Sequence, residues 1–138
     1  MELDVTSLLV INIVNLTVTA TTLPFIMGRT LSPAARHARA ALILQAVGWV
    51  CMVASEQFTG HWLDRGLSVT SVAFMGWGHF RMWAGLQEWL GPRPWRRSLV
   101  ALCIATPIGY FLSFDSYPVR VGWTNALLAL QLLVLWRA

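Results

Sequence analysis

The segment from Leu67 to Leu90 limits most strongly what this chain can form, because it is long and apolar enough to cross a bilayer yet carries ionisable side chains near its middle. His79 follows a glycine, and Arg81 lies two residues further on. Ionisable groups at membrane depth are costly, and they usually face a helix bundle, a cavity or a partner. We therefore expect a helix here whose polar side chains point toward other helices or another subunit.

Four further apolar segments accompany it, separated by short loops. Of the 138 residues, 57% are hydrophobic and 12% are charged; that charged fraction is about half of what a soluble domain carries. The sequence therefore predicts an all-α integral membrane protein with one transmembrane domain over residues 1–138. Its five transmembrane helices are expected at about 5–27, 39–58, 67–90, 98–114 and 118–136.

The sequence contains ten arginines and no lysine. The arginines lie mainly on one side of the predicted spans. The first and third loops and the C-terminus hold Arg29, Arg36, Arg39, Arg93, Arg96, Arg97 and Arg137, with the acid Glu88. The other side holds Glu2, Asp4, Glu56, Asp64, Asp115, Arg65 and Arg120. By the positive-inside rule the N-terminus lies outside and the C-terminus is cytoplasmic, as in a multi-pass protein of a bacterial inner membrane. The net charge of +4 comes from loops, so nucleic acid is not an expected partner.

His79 has two interpretations. As an axial ligand it would hold haem or a chlorophyll-type pigment, with the neighbouring glycines making room for a flat ring and the tryptophans in contact with it. As a structural residue it would be neutral and hydrogen-bonded to Asn15, Asn125 or a backbone carbonyl. The sequence requires no cofactor, and the residues of the cofactor interpretation are Gly76, Trp77, Gly78, His79 and Trp83.

Several other side chains share the depth of His79. Counted at about 1.5 Å per residue from the cytoplasmic end of each span, they lie roughly 16 to 20 Å deep. If their helix faces turn inward together, they form a small polar chamber near the bilayer midplane. The residues of this chamber are Asn15, Met52, Tyr110 and Asn125.

Charged side chains toward the cytoplasmic surface are expected to contact lipid headgroups or a protein partner. Arg81 lies roughly 13 Å from the inner end of its span and is long enough to snorkel toward the cytoplasm. A partner on another helix or subunit is the alternative, because Glu88 is too far along the same helix to pair with it. The residues of this surface are Arg81, Glu88, Arg93, Arg96 and Arg97.

Three smaller patterns concern helix starts and packing. Ser32 followed by Pro33 is typical of a helix N-terminus, and Gly48 allows another helix to approach closely. One face of the first span is polar, which predicts a hydrogen-bonded seam with another helix or the wall of a polar pathway. The residues of this face, at 3-4-3 spacing, are Asn12, Asn15, Thr19 and Thr22.

Catalytic patterns are missing from the sequence. It has no Gly-rich phosphate loop, no nucleophile motif, no carboxylate pair at matched depth and no metal-ligand spacing. Because no loop is much longer than about ten residues, there is no room for a soluble catalytic domain. The chain is therefore not expected to be an enzyme.

Taken in order, the spans and loops resemble the N-terminal membrane sensor region of bacterial diguanylate cyclases. Residues 85–94 read Gly-Leu-Gln-Glu-Trp-Leu-Gly-Pro-Arg-Pro, which is similar to the end of the third span of that family and the turn after it. Residues 110–111, Tyr-Phe, and 120–121, Arg-Val, resemble the end of its fourth span and the start of its fifth. His79 and Arg81 depart from the family, which usually has a plain apolar run there.

The resemblance implies a non-catalytic signalling module that acts through helix contacts with a membrane-protein partner, or as a homo-oligomer, among membrane lipids. Family members usually continue for two more spans and a cytoplasmic GGDEF domain, so a chain complete at five spans would not make cyclic di-GMP. The alternative is an accessory or structural subunit of a larger photosynthetic or respiratory membrane complex, in which His79 contacts haem or a chlorophyll-type pigment.

Overall fold

The computed structural model describes residues 5–27 and 31–137. Within these ranges the chain forms five α-helices and no strand, which confirms the all-α prediction. The helices are α1 (Val5–Met27), α2 (Pro33–Ser55), α3 (Trp62–Leu90), α4 (Arg96–Leu112) and α5 (Tyr117–Arg137), and a 3₁₀ turn (Glu56–Phe58) follows α2. Glu2, Asp4 and Arg29, which enter the predicted charge asymmetry, lie outside the described residues.

Two helices begin five or six residues earlier than the apolar segments that predicted them. α2 begins at Pro33 and not at residue 39, because the Ser32 side chain accepts a hydrogen bond from the backbone N–H of Ala35 at 3.2 Å. α3 begins at Trp62 and not at 67, with the His61 ring accepting from the N–H of Leu63 at 3.3 Å. The Ser-Pro start is thus confirmed. An apolar run indicates which part of a helix is suited to an apolar environment, whereas capping groups determine the residue at which the helix begins.

The helices α2 and α3 pack most extensively, through small residues on both sides. A Cβ atom on Gly48 would lie 3.0 Å from the Ser71 carbonyl oxygen, and one on Gly78 would lie 3.2 Å from that of Ala41. The backbones therefore approach too closely for any larger side chain, as predicted for Gly48. In the described residues α1 contacts α2 alone, whereas α5 contacts α4 and α3.

Length and hydropathy identify two helices as candidate membrane spans, and not the five predicted. These are Pro33–Phe58 and Tyr117–Arg137, and a shorter apolar stretch covers Val10–Thr22 within α1. α4 has only 17 residues. α3 is 29 residues long but includes four charged residues, which lower its hydropathy: Asp64, Arg65, Arg81 and Glu88.

Burial along α5 is inverted relative to a helix of a water-soluble protein. Within the described residues Gln131 is its one buried side chain, whereas its neighbours Leu130, Leu132 and Leu133 are 45%, 53% and 52% exposed. The interior of the bundle combines apolar residues, such as Val72, Trp83 and Leu99, with the hydroxyl-bearing Ser55, Ser68, Ser71 and Thr106. On α5, therefore, the amide faces inward and these leucines face outward.

Candidate functional site

A chain of hydrogen bonds joins α3, α4 and α5 at the centre of the bundle. The Nδ1 atom of His79 lies 2.9 Å from Gln131 Oε1, and Gln131 Nε2 donates to the Thr106 hydroxyl at 2.9 Å. That hydroxyl in turn donates to the Leu102 carbonyl at 2.6 Å. We call these residues, His79, Gln131 and Thr106, the interhelical network. It satisfies a fully buried glutamine from both ends.

The direction of the network determines the tautomer of His79. Because the Thr106 hydroxyl donates to the Leu102 carbonyl, it accepts from the amide nitrogen of Gln131. The amide oxygen of Gln131 then faces His79, so Nδ1 carries the proton. In the neutral imidazole Nε2 is therefore the acceptor, and no described residue donates a hydrogen bond to it.

Small side chains make room for the glutamine. A Cβ on Gly76 would lie 3.6 Å from Gln131 Oε1 and equally close to the Cα of Cys103. The Cys103 thiol donates to the Gly76 carbonyl at 3.1 Å, so α3 and α4 are joined directly at this point. The absence of a side chain at Gly76 thus lets α4 and the Gln131 amide reach α3 together.

An aromatic row on α3 begins just before His79 and continues after it. Trp77, Phe80 and Trp83 have successive ring centroids 5.1 and 6.0 Å apart. Trp83 is buried against Leu99 and Cys103 of α4, whereas Trp77 is 45% exposed. The row therefore runs from the interior of the bundle to its surface.

The glycines predicted to make room for a flat ring have a different role. The space beside Gly76 is filled by α4 and Gln131, and that beside Gly78 by Ala41 and the Gln45 side chain. Both glycines serve helix packing, so neighbouring helices occupy the space that was expected beside them for a flat ring. Of the three rings in the row, that of Trp77 is exposed.

The predicted midplane chamber does not form. Asn15 and Asn125 are both exposed, Met52 is half-buried, and only Tyr110 is buried. The predicted depth of a residue along its helix does not determine how that helix is rotated, so residues expected at one depth need not face one another. The buried amide partner of His79 is Gln131 and neither asparagine. The signal for Gln131 was a single amide within the leucine-rich segment 127–135.

The polar face predicted for α1 also points away from its neighbour. Asn15, Thr19 and Thr22 are exposed and Asn12 is half-buried, whereas the side of α1 that meets α2 includes the buried Ala20. The threonine hydroxyls donate to carbonyls of their own helix, as Thr19 does to Asn15 at 2.8 Å. Within the described chain this face is therefore not a seam between helices.

Two charged side chains of α3 contact other parts of the bundle. In the half of α3 that is predicted to face the cytoplasm, Arg81 Nη1 lies 3.3 Å from His37 Nδ1, so Arg81 has a partner on another helix, α2. Near the N-terminal end of α3, Arg65 forms an ion pair with Asp115 in the α4–α5 turn at 2.6 Å. The other predicted surface residues carry no salt bridge in the described chain, and they are the exposed Glu88, Arg96 and Arg97 and the half-buried Arg93.

Comparison of the chain with protein-family models, with curated proteins and with solved structures found no match. The resemblance to diguanylate cyclase sensor regions therefore rests on the order of the spans and on loop residues, and it stays a prediction. The residues and their geometry carry the functional argument that follows.

Proposed function

We propose that this chain is a five-span module of a bacterial inner membrane that signals or scaffolds through helix contacts with a membrane partner. The observation that carries this proposal is the burial of Gln131 between the exposed Leu130, Leu132 and Leu133 of the same helix. In water such a helix would leave apolar surface solvated while placing its amide inside the protein. Lipid removes the first cost, and the interhelical network removes the second.

The position of α3 supports a signalling role. It packs against α2, α4 and α5, and it is tied to them at two levels: by Arg65 near its N-terminal end, and beyond its midpoint by the interhelical network and by Arg81, two residues after His79. A tilt or rotation of α5 relative to α3 would break the bond between Gln131 and His79. Hydrogen bonds between membrane helices contribute only about 0.6 to 2 kcal/mol each, so a ligand or partner is able to shift this contact.

A subunit of a photosynthetic or respiratory complex is the second candidate, favoured by one observation. Histidines that bind metals usually donate their other ring N–H to a protein acceptor, and His79 donates its Nδ1–H to Gln131. Nε2 then keeps the lone pair that a haem iron or a chlorophyll-type magnesium would accept. The filled space beside Gly76 and Gly78 weighs against it, since a ring would have to approach from the exposed side at Trp77.

One preparation tests both candidates. The protein is extracted gently from its own membrane and examined by native mass spectrometry together with an absorption spectrum. The signalling module predicts a colourless homo-oligomer or a complex with another membrane protein. Visible absorption that disappears in His79→Ala, but persists in the matched variant His61→Ala, would contradict it and establish the cofactor-bearing subunit.

Recovery in the soluble fraction after an alkaline carbonate wash would contradict both candidates. The helices would then have to pack their exposed leucines against another soluble chain. The absorption spectrum separates the two candidates from each other, and the wash tests the membrane location that they share.

A further inference from the structure

We propose that the cleft between the start of α2 and the middle of α3 binds a phosphate group. Pro33, Arg36, His37, Ala40 and Arg81 line a cavity of about 330 Å³. Three of these five residues are arginine or histidine, and the cavity is large enough for a phosphate with its first attached groups. The proposal is independent of the signalling function.

The contact between Arg81 and His37 leaves the cleft positively charged. A guanidinium has only donors, so the His37 Nδ1 that lies 3.3 Å from Arg81 Nη1 is an acceptor, and the imidazole is neutral. A neutral ring does not compensate the charge of Arg81. It does leave His37 Nε2–H as a further donor beside the guanidinium.

Acidic side chains do not compensate this charge either. Across residues 5–27 and 31–137 the one ion pair is Arg65–Asp115, which holds the opposite end of α3. Glu88, the nearest acid along α3, is seven residues beyond Arg81 and exposed, about 10 Å away along the helix. Arg39 and Arg93 each have a buried Nε without a hydrogen-bond partner in the described chain. The end of the bundle that contains the cleft thus has an excess of unpaired cationic groups.

The geometry favours a phosphate oxygen as the missing acceptor. Arginine binds phosphate through parallel N–H···O bonds that are stronger than neutral ones. The N-terminal turn of α2, which begins at Pro33, adds a favourable dipole for an anion. The tetrahedrally arranged oxygens of a phosphate are able to accept from Arg36, Arg81 and the His37 N–H at once.

The phosphate comes either from an anionic phospholipid or from solution, and Trp77 distinguishes the two sources. Trp77 lies one turn before Arg81 on the same side of α3 and is 45% exposed. An acyl chain attached to the bound headgroup would lie against this indole. A free phosphate would not touch it.

The test uses the full chain in nanodiscs of phosphatidylcholine, titrated with phosphatidylglycerol or with inorganic phosphate, and native mass spectrometry counts the bound molecules. Arg36→Gln and Arg81→Gln are each expected to weaken the binding about tenfold. Arg97→Gln is the matched control, since it removes an exposed arginine at the same end that does not line the cleft. Arg36→Gln keeps the test valid if Arg81→Gln disturbs the contact with His37.

Saturable binding of phosphatidylglycerol that Trp77→Ala also weakens would support the site and identify lipid as the source. Saturable binding of inorganic phosphate, insensitive to Trp77→Ala but lost in Arg36→Gln, would support the site with a soluble ligand. Equal effects of Arg36→Gln, Arg81→Gln and Arg97→Gln would overturn the proposal, because they would reflect surface charge alone. Absence of saturable binding of either probe would overturn it as well.

Discussion

Gln131 of α5 accepts the Nδ1–H of His79 of α3 at 2.9 Å, so two polar side chains of different helices satisfy each other inside the bundle. The bond gives α5 a fixed rotation, because the amide has to face α3 while the leucines on either side face outward. The rotation of α5 and the tautomer of His79 are therefore consequences of one contact.

Removing the amide tests the strength of this contact. Gln131→Leu keeps the size of the side chain but leaves the His79 N–H without an acceptor and the Thr106 hydroxyl without its donor. We expect a loss of about 1 to 2 kcal/mol in unfolding free energy, measured by unfolding in detergent followed by circular dichroism. Gln57→Leu, at an exposed position in the 3₁₀ turn, is the control and should change little. Equal stability of the two variants would mean that the network contributes nothing.

Close packing of α2 against α3 predicts a second effect. In Gly78→Ala the new methyl would lie 3.2 Å from the Ala41 carbonyl oxygen, a backbone atom that cannot move aside cheaply. The expected loss is about 1 to 3 kcal/mol. Gly122→Ala on α5 has no heavy atom within 4 Å, so it should stabilise the helix by about 0.5 to 1 kcal/mol. Thermal unfolding of the two variants side by side checks the opposite signs.

The indole of Trp123 on α5 packs directly against the backbone of Gly109 on α4. A Cβ at this position would overlap the indole of Trp123, whose Nε1–H donates to the Ala105 carbonyl at 3.3 Å. Gly109→Ala should therefore destabilise the protein, and the same change in a Trp123→Ala background should not. A double-mutant cycle is expected to give a coupling of about 1 kcal/mol or more. Additive effects of the two substitutions would show that the Trp123 indole does not pack against Gly109.

The contribution of the Arg65–Asp115 ion pair to stability should fall with salt, whereas the contacts of Arg65 with aromatic rings should persist. Asp115 is highly exposed, so Asp115→Ala should cost at most about 1 kcal/mol at low ionic strength and little in concentrated salt. Arg65 also lies over the rings of Phe111 and Phe114, at 5.2 and 4.8 Å. Arg65→Ala should therefore cost more, and part of its effect should persist in salt. Melting temperatures at two salt concentrations separate the two contributions.

The sequence predicted the existence of the helices better than their relative rotation. Five apolar segments, the Ser32 cap and the close approach at Gly48 follow from local chemistry, and each has a counterpart in the structure. Which polar residue meets His79 is decided by how α5 turns, and that depends on packing across three helices. Asn125 and Gln131 were equally available by composition, but only Gln131 lies on the face that meets Gly76.

The roles of the glycines in α3 also depend on tertiary packing that the local sequence does not determine. A glycine beside a histidine is compatible with a bound ring and with a neighbouring helix, because both need the missing side chain. The structure places α2 against Gly78 and α4 with Gln131 against Gly76. Short-range sequence patterns do not contain that information, since the contacting residues lie far away in the chain.

The most direct test of the central proposal, that all five helices cross the membrane, is thiol labelling of single cysteines by an impermeant maleimide in cells whose outer membrane has been permeabilised. With Cys51 and Cys103 replaced by alanine, cysteines are introduced in turn at Thr59, Pro94, Ser116 and Arg137, all of which are exposed. The proposal predicts labelling at 59 and 116, and protection at 94 and 137 until the inner membrane is lysed. Labelling of 59 and 94 from the same side would mean that α3 does not cross, and the five-span account would be wrong.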